Sequence, residues 1–267
     1  MKVRDWLVVG AGLSGAVFAH EAKNRGLDVL VVDRADRAGG LCLSEPGFHF
    51  YGPHVFHTAD AGVREYVSRF CRWETFVHAP AFCDYSEKMW GGGMPAEAKR
   101  RRDLRRGTAA RGSYFGGEWT ALPENLDYGP LFAGLLEGIP LLLGFDCFRE
   151  KLPEAGNVYW TAPASPDAGG RRMAFGHTDI PPVPGRFKVT PCADGAVPWT
   201  RETLYWDRMT RELPSEEGVL CYPVGPVPRP AVRTEARTVF AGRFGSWRWL
   251  DMDQAVAESL GNAGRLL

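Results

Sequence analysis

The sequence predicts an α/β fold in which a doubly wound parallel sheet is joined to an antiparallel sheet. Four apolar residues at 6–9 precede a glycine-rich turn, an apolar-periodic stretch and a second apolar run at 29–32. Such runs are typical of strands buried on both faces, and the periodic stretch between them is typical of a helix. Residues 163–230 are instead rich in proline and glycine and contain short β-like runs, which indicates an irregular, mostly antiparallel sheet.

The first turn has the glycine spacing of a dinucleotide-binding site. Gly10, Gly12 and Gly15 allow, in that order, a tight turn, close approach of backbone amides to a pyrophosphate, and close packing of the helix on the strand. Asp33 ends the second strand 18 residues beyond Gly15, where a carboxylate accepts hydrogen bonds from an adenosine ribose. A glycine motif alone also occurs for packing reasons. Here both strands, the helix and the acid accompany it, so we predict a Rossmann-like dinucleotide site.

The segments that follow favour FAD over NAD as the dinucleotide. After Asp33 comes a charged turn that the pair Gly39 and Gly40 closes, which indicates a backbone nest near phosphate and is common in flavoproteins. Towards the C-terminus, a strand at 238–241 and a helix at 250–260 flank a Gly-Arg turn. Many FAD folds close around the flavin ring in this way. An ordinary closing βα unit is the alternative.

Composition and charge exclude several classes of protein. The hydrophobic fraction of 45% is that of a globular protein, and 32 basic residues balance 32 acidic ones, so no overall charge favours nucleic acid. We expect no membrane span and no cleaved signal peptide, because residues 1–5 lead directly into the first strand. The six cysteines have no metal-type spacing and the histidines form no HxxxH pair. We therefore predict a cytoplasmic protein without a metal site.

Three histidines lie among aromatic residues at 47–58. His49, His54 and His57 flank a Gly-Pro turn that is expected to place polar ring tips beside an apolar surface, where one or two of them face a flavin. The alternative is that His49 is an exposed strand residue and that the other two are core histidines with satisfied hydrogen bonds. Helical spacing at residues 60–72 indicates a surface helix.

Several stretches carry a family resemblance. Gly-Ala-Gly-Leu-Ser-Gly-Ala-Val-Phe-Ala-His-Glu spans residues 10–21, and Tyr-Gly-Pro-His-Val-Phe-His-Thr spans residues 51–58. Tyr-Ser-Glu-Lys-Met-Trp-Gly follows at 85–91, and Ala-Gly-Arg-Phe-Gly-Ser-Trp-Arg-Trp-Leu-Asp-Met-Asp at 241–253. The chain resembles the UDP-galactopyranose mutase family, flavoenzymes that interconvert galactopyranose and galactofuranose on a nucleotide.

The chain departs from the family in one large feature. The family has a mostly helical insertion between its histidine motif and its Tyr-x-x-Lys-x-Trp segment, whereas only 26 residues separate Thr58 from Tyr85 here. Most of the insertion is therefore expected to be missing, which predicts a more open active site. The resemblance does not extend to the family's nucleotide selectivity or to its dimer. Ala162 replaces a family glycine, which is expected to change how closely this backbone approaches the cofactor. Trp249 stands where tyrosine is common, which points to a different substrate.

The resemblance implies the chemistry and the residues that serve it. In the family, reduced flavin N5 attacks the anomeric carbon, displaces the nucleotide diphosphate and permits the ring to reopen and close. The sequence itself contains no motif for a nucleophile and base, so the cofactor must carry the reaction. The catalytic residues implied are His54, His57, Arg201 and Asp251. The substrate-binding residues implied are Tyr85, Trp90, Arg105, Arg106, Tyr222 and Trp249.

Arginines are candidates for the diphosphate because their fork of donors matches phosphate oxygens. Arg105 or Arg106 falls nearest the matching position of a mobile-loop arginine, but a solvated loop or a patch for an anionic partner explains the basic cluster at 99–106 equally well. Arg201 is a second candidate, with a surface strand charge as the alternative.

Pattern and resemblance together give one set of predicted FAD-binding residues. They are Gly10, Gly12, Leu13, Ser14, Gly15, Asp33, Arg34, Gly39, Gly40, Leu41, Gly242, Arg243, Asp251 and Met252. The FAD-binding domain is predicted at 1–82 with 128–165 and 231–267, and the substrate-side region at 83–127 with 166–230.

The leading functional prediction is a flavin-dependent mutase that acts on a nucleotide sugar. Its FAD is expected to be active in the reduced form, with NAD(P)H or another reductant supplying the electrons. The first alternative is an FAD oxidoreductase acting on a sugar, an amine or a natural-product intermediate. The second alternative is a flavin-binding protein without turnover. A small-molecule substrate is expected in the first two cases, and neither nucleic acid nor a membrane is expected as a partner.

Overall fold

The computed structural model describes residues 3–75, 119–182, 187–192, 197–232 and 234–267 in full, and the backbone of residues 82–84 and 88–90. The described helices are α1 (Leu13–Asn24), α2 (Ala61–Ser68), α3 (Gly129–Leu135), α4 (Gly242–Gly245) and α5 (Met252–Leu266). The first strands are β1 (Arg4–Val9), β2 (Val29–Asp33), β3 (Ser44–Glu45), β4 (Phe48–His49), β5 (Phe56–Thr58), β6 (Trp73–Thr75), β7 (Phe82–Asp84), β8 (Lys88–Trp90) and β9 (Trp119–Pro123). The later strands are β10 (Leu141–Leu143), β11 (Ala155–Trp160), β12 (Arg171–Asp179), β13 (Lys188–Pro191), β14 (Arg201–Leu204), β15 (Arg208–Pro214), β16 (Val219–Tyr222) and β17 (Arg237–Phe240).

A parallel five-stranded sheet forms the centre of the chain. Its order is β10-β2-β1-β11-β17, so the chain adds strands to one side of β1 and then to the other. This reversal at β1 is the doubly wound order, and it confirms the α/β class predicted from the apolar runs. It also creates a crevice at the carboxyl ends of β1 and β11, where open α/β sheets bind their ligands.

The two faces of this sheet are covered differently. On one face, α1, α3 and α5 pack around a core in which the Phe18 ring stacks on Tyr159, with ring centroids 3.8 Å apart. On the other face, Leu7, Val9 and Val32 belong to a core that includes side chains of the non-helical segment at 145–152 together with Val232 and Ala236. The alternation of buried side chains to both faces explains why these strands are continuous apolar runs.

A separate antiparallel sheet follows, as the sequence predicts for residues 163–230. Its order is β13-β14-β15-β12-β16, and β12 pairs along its length with β15. Smaller sheets join β3 to β4, β7 to β8, and β5 and β6 to the two edges of β9. The division of the chain into the two domains given above stays a prediction.

Helix α2 occupies part of the short connection between β5 and β7. It has eight residues, and the Asp60 side chain caps its N-terminus by accepting from the amides of Gly62 and Val63. Its position confirms the helix expected at 60–72, although it ends earlier. No helix in the described ranges is both long and apolar enough to cross a membrane.

Close packing of α1 on β1 gives a first testable prediction. A Cβ at Gly15 would overlap the carbonyl oxygen of Gly10, so Gly15→Ala forces α1 away from the strand. We expect the free energy of unfolding to fall by about 2 kcal/mol. Gly261→Ala is the matched control, because Gly261 lies on α5 with nothing within 4 Å of its built Cβ. The control is expected to stabilise by about 0.5–1 kcal/mol in urea unfolding. Equal effects of the two substitutions would contradict the packing argument.

Candidate functional site

One cavity of about 790 Å³ runs from the carboxyl end of β2, past β1, to the antiparallel sheet. This volume is in the range of sites for cofactors and small ligands. Twelve of the fourteen predicted cofactor-binding residues line it: Gly10, Gly12, Leu13, Ser14, Asp33, Arg34, Gly39, Gly40, Leu41, Arg243, Asp251 and Met252. The other two, Gly15 and Gly242, lie outside the lining. The amide of Gly242 donates to Glu258 Oε2 at 2.8 Å, and Gly15 contacts Gly10.

Two glycine turns face each other at the start of α1. Gly12 precedes the helix in an extended conformation, and its Cα lies 3.0 Å from a Cβ built on Gly40. Gly39 and Gly40 have φ angles of 134° and 56°, which favour glycine. No acidic residue occupies the first turn of α1. The bare backbone and the positive end of the helix dipole make this turn suitable for a pyrophosphate.

Asp33 joins the two turns. Its Oδ2 accepts from the Ala11 amide at 2.6 Å and its Oδ1 from the Ala35 amide at 2.8 Å. Because a carboxylate offers about four acceptor sites, these two bonds leave capacity for a ribose hydroxyl on the cavity side.

A third wall of the cavity was not predicted from the sequence. Residues 145–148, between β10 and β11, also line the cavity. The amide of Phe145 donates to Asp33 O, and the amide of Gly144 donates to Ala35 O, both at 2.9 Å. These bonds attach the segment to the end of β2. No motif marks it in the sequence, since its position depends on the pairing of β10 with β2.

The closing motif builds a stack around Arg243. The guanidinium lies 4.2 Å from the ring centroid of Trp249, and that ring stacks on Tyr222 at 5.1 Å with an interplanar angle of 11°. Arg243 also donates twice to Leu250 O, at 2.6 and 3.0 Å. Trp249 Nε1 donates to Asp251 Oδ1 at 3.2 Å.

The stack involves two predicted substrate contacts. Trp249 packs on Tyr222 and Arg243, its N–H donates to Asp251, and neither Tyr222 nor Trp249 lines the cavity. Their role as substrate contacts stays a prediction. Asp251 lines the cavity and also forms the capping box of α5 with Gln254.

Of the three histidines at 47–58, His54 lines the cavity, whereas His49 and His57 do not. The Nδ1 of His54 lies 2.9 Å from Gly52 O. The Nδ1 of His57 lies 3.0 Å from Thr120 Oγ1 on β9. The exposed alternative for His49 is wrong: its side chain is 1% exposed, and burial lowers its pKa to about 4. The strand pattern missed this because β4 packs under aromatic rings from distant segments.

Arg201 is held by a partner that the sequence did not reveal. Its Nε donates to Glu212 Oε1, and the Glu212 side chain is 1% exposed. The pair lies against Gly52, where a Cβ would contact Arg201 Nη2 at 3.0 Å. Arg201 does not line the cavity, although four guanidinium donors beyond Nε–H remain for other contacts. Its role at a diphosphate stays a prediction.

Four predicted substrate contacts cannot be placed. Tyr85, Arg105 and Arg106 lie outside the described residues, and only the backbone of Trp90 is described. Their roles stay predictions. Among the described histidines, cysteines and carboxylates, no group is arranged to bind a metal ion.

The buried ion pair gives a second testable prediction. Arg201→Ala leaves the Glu212 carboxylate buried without its guanidinium, so we expect a loss of about 3–5 kcal/mol in the free energy of unfolding. Arg201→Ala combined with Glu212→Gln removes both charges and is expected to recover much of that loss. Urea unfolding of the two variants measures the difference. Equal stability of the single and double variants would contradict a buried, charge-compensating pair.

The sequence is similar to those of several known proteins. Residues 8–72 match the NAD(P)-binding Rossmann-like domain family. The UDP-galactopyranose mutase of Mycoplasma genitalium is 39% identical over 80 residues, which are 28% of this chain and 20% of that protein. The dTDP-fucopyranose mutase of Escherichia coli is 30% identical over 77 residues, 27% of this chain and 20% of that protein. These strong local matches thus span about a fifth of the relatives' length.

A weaker match extends from end to end. The probable UDP-galactopyranose mutase of Klebsiella pneumoniae is 21% identical over 372 aligned positions, covering 100% of this chain and 96% of that protein. Because the alignment is longer than this chain of 267 residues, the relative contains segments that are absent here.

Solved structures show the same fold. A reduced UDP-galactopyranose mutase superposes with a TM-score of 0.67 at 12% identity, covering 98% of this chain and 95% of that one. A putrescine oxidase with bound putrescine follows at 0.56 and 11%, covering 98% of each chain. Together with the end-to-end alignment, these matches show that the chain has the fold of UDP-galactopyranose mutases and is similar to them in sequence, most strongly over a stretch of about 80 residues.

Proposed function

We propose that this protein is a flavin-dependent mutase that interconverts the pyranose and furanose forms of a nucleotide-activated sugar. The observation that carries the proposal is that one continuous cavity is lined both by the glycine turns and Asp33 and by His54 and Arg243. A dinucleotide bound along it would present its reactive ring beside the antiparallel sheet. The mutase relatives support the same assignment.

The residues of the cavity fit FAD. The amides at the start of α1 suit its pyrophosphate, Asp33 suits its adenosine ribose, and Arg243 supplies a fixed cation near Asp251. When bound in its reduced form, FAD would supply the nucleophilic nitrogen that an exchange at the anomeric carbon requires.

The protein's own contribution is binding, orientation and exclusion of water. Met173, Phe175 and Leu220 give the substrate end of the cavity an apolar wall. His54 presents a neutral ring there, because burial and the nearby charges of Arg243 and Arg201 keep its pKa well below the usual value. Arg201, on the adjacent β14, is proposed to offset the negative charge of the departing diphosphate.

The substrate class that we propose is broader than the single substrate for which each relative is named. One relative is named for UDP-galactopyranose and another for dTDP-fucopyranose. Trp249 packs on Tyr222 and Arg243 and lies outside the cavity lining, so we do not propose its ring as the stacking partner of a nucleobase. We propose a nucleoside-diphosphate hexose whose base is selected elsewhere.

An FAD oxidoreductase is the second candidate. The likeness to putrescine oxidase favours it, since that fold also extends over nearly the whole chain. The two candidates differ in what happens to the flavin, because a mutase leaves its oxidation state unchanged over a cycle and an oxidoreductase does not.

The deciding experiment uses the purified, FAD-loaded protein after anaerobic reduction. UDP-galactofuranose, UDP-galactopyranose and dTDP-fucopyranose are each added, and ring isomers are separated by chromatography. We expect isomerised product over many turnovers per flavin with no net change in the flavin spectrum. Absence of any isomerisation, together with bleaching of the flavin by an amine or sugar in a parallel anaerobic sample that is left oxidised, would favour the oxidoreductase.

Gly12→Val tests the cofactor assignment separately. A Cβ at Gly12 meets only the Gly40 Cα, at an ordinary 3.7 Å, and Gly12 lines the cavity, so we expect a side chain here to occupy space that the pyrophosphate needs without displacing the backbone. We expect FAD affinity to fall at least about tenfold, or about 1.4 kcal/mol, with stability within about 1 kcal/mol of wild type. Gly261→Ala should bind FAD normally. A Gly12→Val protein that binds FAD as tightly as wild type would refute the site.

A further inference from the structure

His49 is a buried histidine whose two ring nitrogens both have partners. Its Nε2 lies 2.7 Å from Leu126 O, and its Nδ1 lies 3.1 Å from the backbone nitrogen of His54. A carbonyl only accepts and a backbone N–H only donates, so Nε2 carries the proton and Nδ1 is the acceptor. One neutral tautomer is therefore fixed. The ring is enclosed by Tyr128, Phe187 and Tyr205, with centroids 5.5 to 6.2 Å away.

Two hydrogen bonds hold the backbone of His54, one at its N–H and one at its carbonyl. Its N–H donates to His49, and its carbonyl accepts from Tyr128 Oη at 2.8 Å. Its ring Nδ1 lies 2.9 Å from Gly52 O, which can only accept, so Nδ1 carries the proton. In the neutral ring Nε2 is then the unprotonated nitrogen. It makes no hydrogen bond to the described residues, and His54 lines the cavity.

We propose that His49 is a positioning residue that fixes the His54 backbone so that His54 Nε2 serves as a hydrogen-bond acceptor for a donor on the bound ligand. The ligand's donor is an N–H of the cofactor or a hydroxyl of the sugar. Naming those two sources rests on the proposed function, whereas the fixed orientation and tautomer do not. The role of His49 is thus distinct from that of His54, which contacts the cavity itself.

An apolar core residue would not serve in this position. Burying an imidazole costs free energy unless its polar atoms are paired, and His49 satisfies both of its ring nitrogens with one backbone group on each side. It connects the 3₁₀ turn at Glu124–Leu126 with the turn that contains His54. Phenylalanine would fill the volume but would provide neither bond.

The test measures the His54 ring directly by ¹⁵N NMR of histidine-labelled protein without cofactor. In wild type, one tautomer with the proton on Nδ1 should exceed the other at least about tenfold. His49→Phe should bring the two tautomers close to equal population. His49→Asn keeps an acceptor near the position of Nδ1 and should retain the wild-type preference. Tyr128→Phe, which removes the bond to the His54 carbonyl, serves as a comparison for the second attachment.

Ligand additions identify the donor. A change in the ¹⁵N shift of His54 Nε2 on addition of reduced FAD assigns the donor to the cofactor, and a change only after a nucleotide sugar is added assigns it to the substrate. If His49→Phe lowers stability but leaves the His54 tautomer preference intact, His49 is purely structural and the proposal is wrong. No Nε2 shift with either ligand would also overturn it. Failure of the mutase assay alone would leave the tautomer measurement unaffected.

Discussion

The close approach of α1 to β1 is the constraint on which the site depends. A side chain at Gly15 would meet the Gly10 carbonyl, so only glycine lets the helix begin directly at the end of the strand. The amides of the first turn then open onto the cavity beside Gly39 and Gly40. The same junction is secured from β11, where Thr161 Oγ1 donates to Val9 O at 3.0 Å. The anion binding that we propose at this turn would therefore depend on backbone packing and not on a charged side chain.

A second constraint attaches the histidine turn to the 124–128 segment and to the antiparallel sheet. The turn that carries His54 is attached to the 124–128 segment through His49 and Tyr128, and it contacts the buried pair of Arg201 and Glu212 at Gly52. A buried ion pair is weak evidence for stability, because the desolvation of two charges offsets their attraction. Here the pair lies directly against the histidine turn, so strand β14, which carries Arg201, and that turn pack closely together.

Much of the dinucleotide end could be predicted from sequence because its determinants are local. Gly10, Gly12 and Asp33 lie within one strand-turn-helix-strand unit, and their spacing reflects backbone geometry directly. The substrate end could not be predicted in the same way. Burial of His49, the Glu212 partner of Arg201 and the stack of Trp249 on Tyr222 all depend on segments far apart in the chain. Residue type alone cannot distinguish a free arginine or tryptophan from one whose faces and donors are already engaged.

The most direct measurement is a crystal structure of the FAD-loaded protein. The account predicts the adenosine ribose at Asp33, the pyrophosphate at the start of α1, and the flavin ring within about 4 Å of His54, the distance of a direct contact. A flavin ring on the far side of the parallel sheet, or a pyrophosphate away from Gly12, would contradict it.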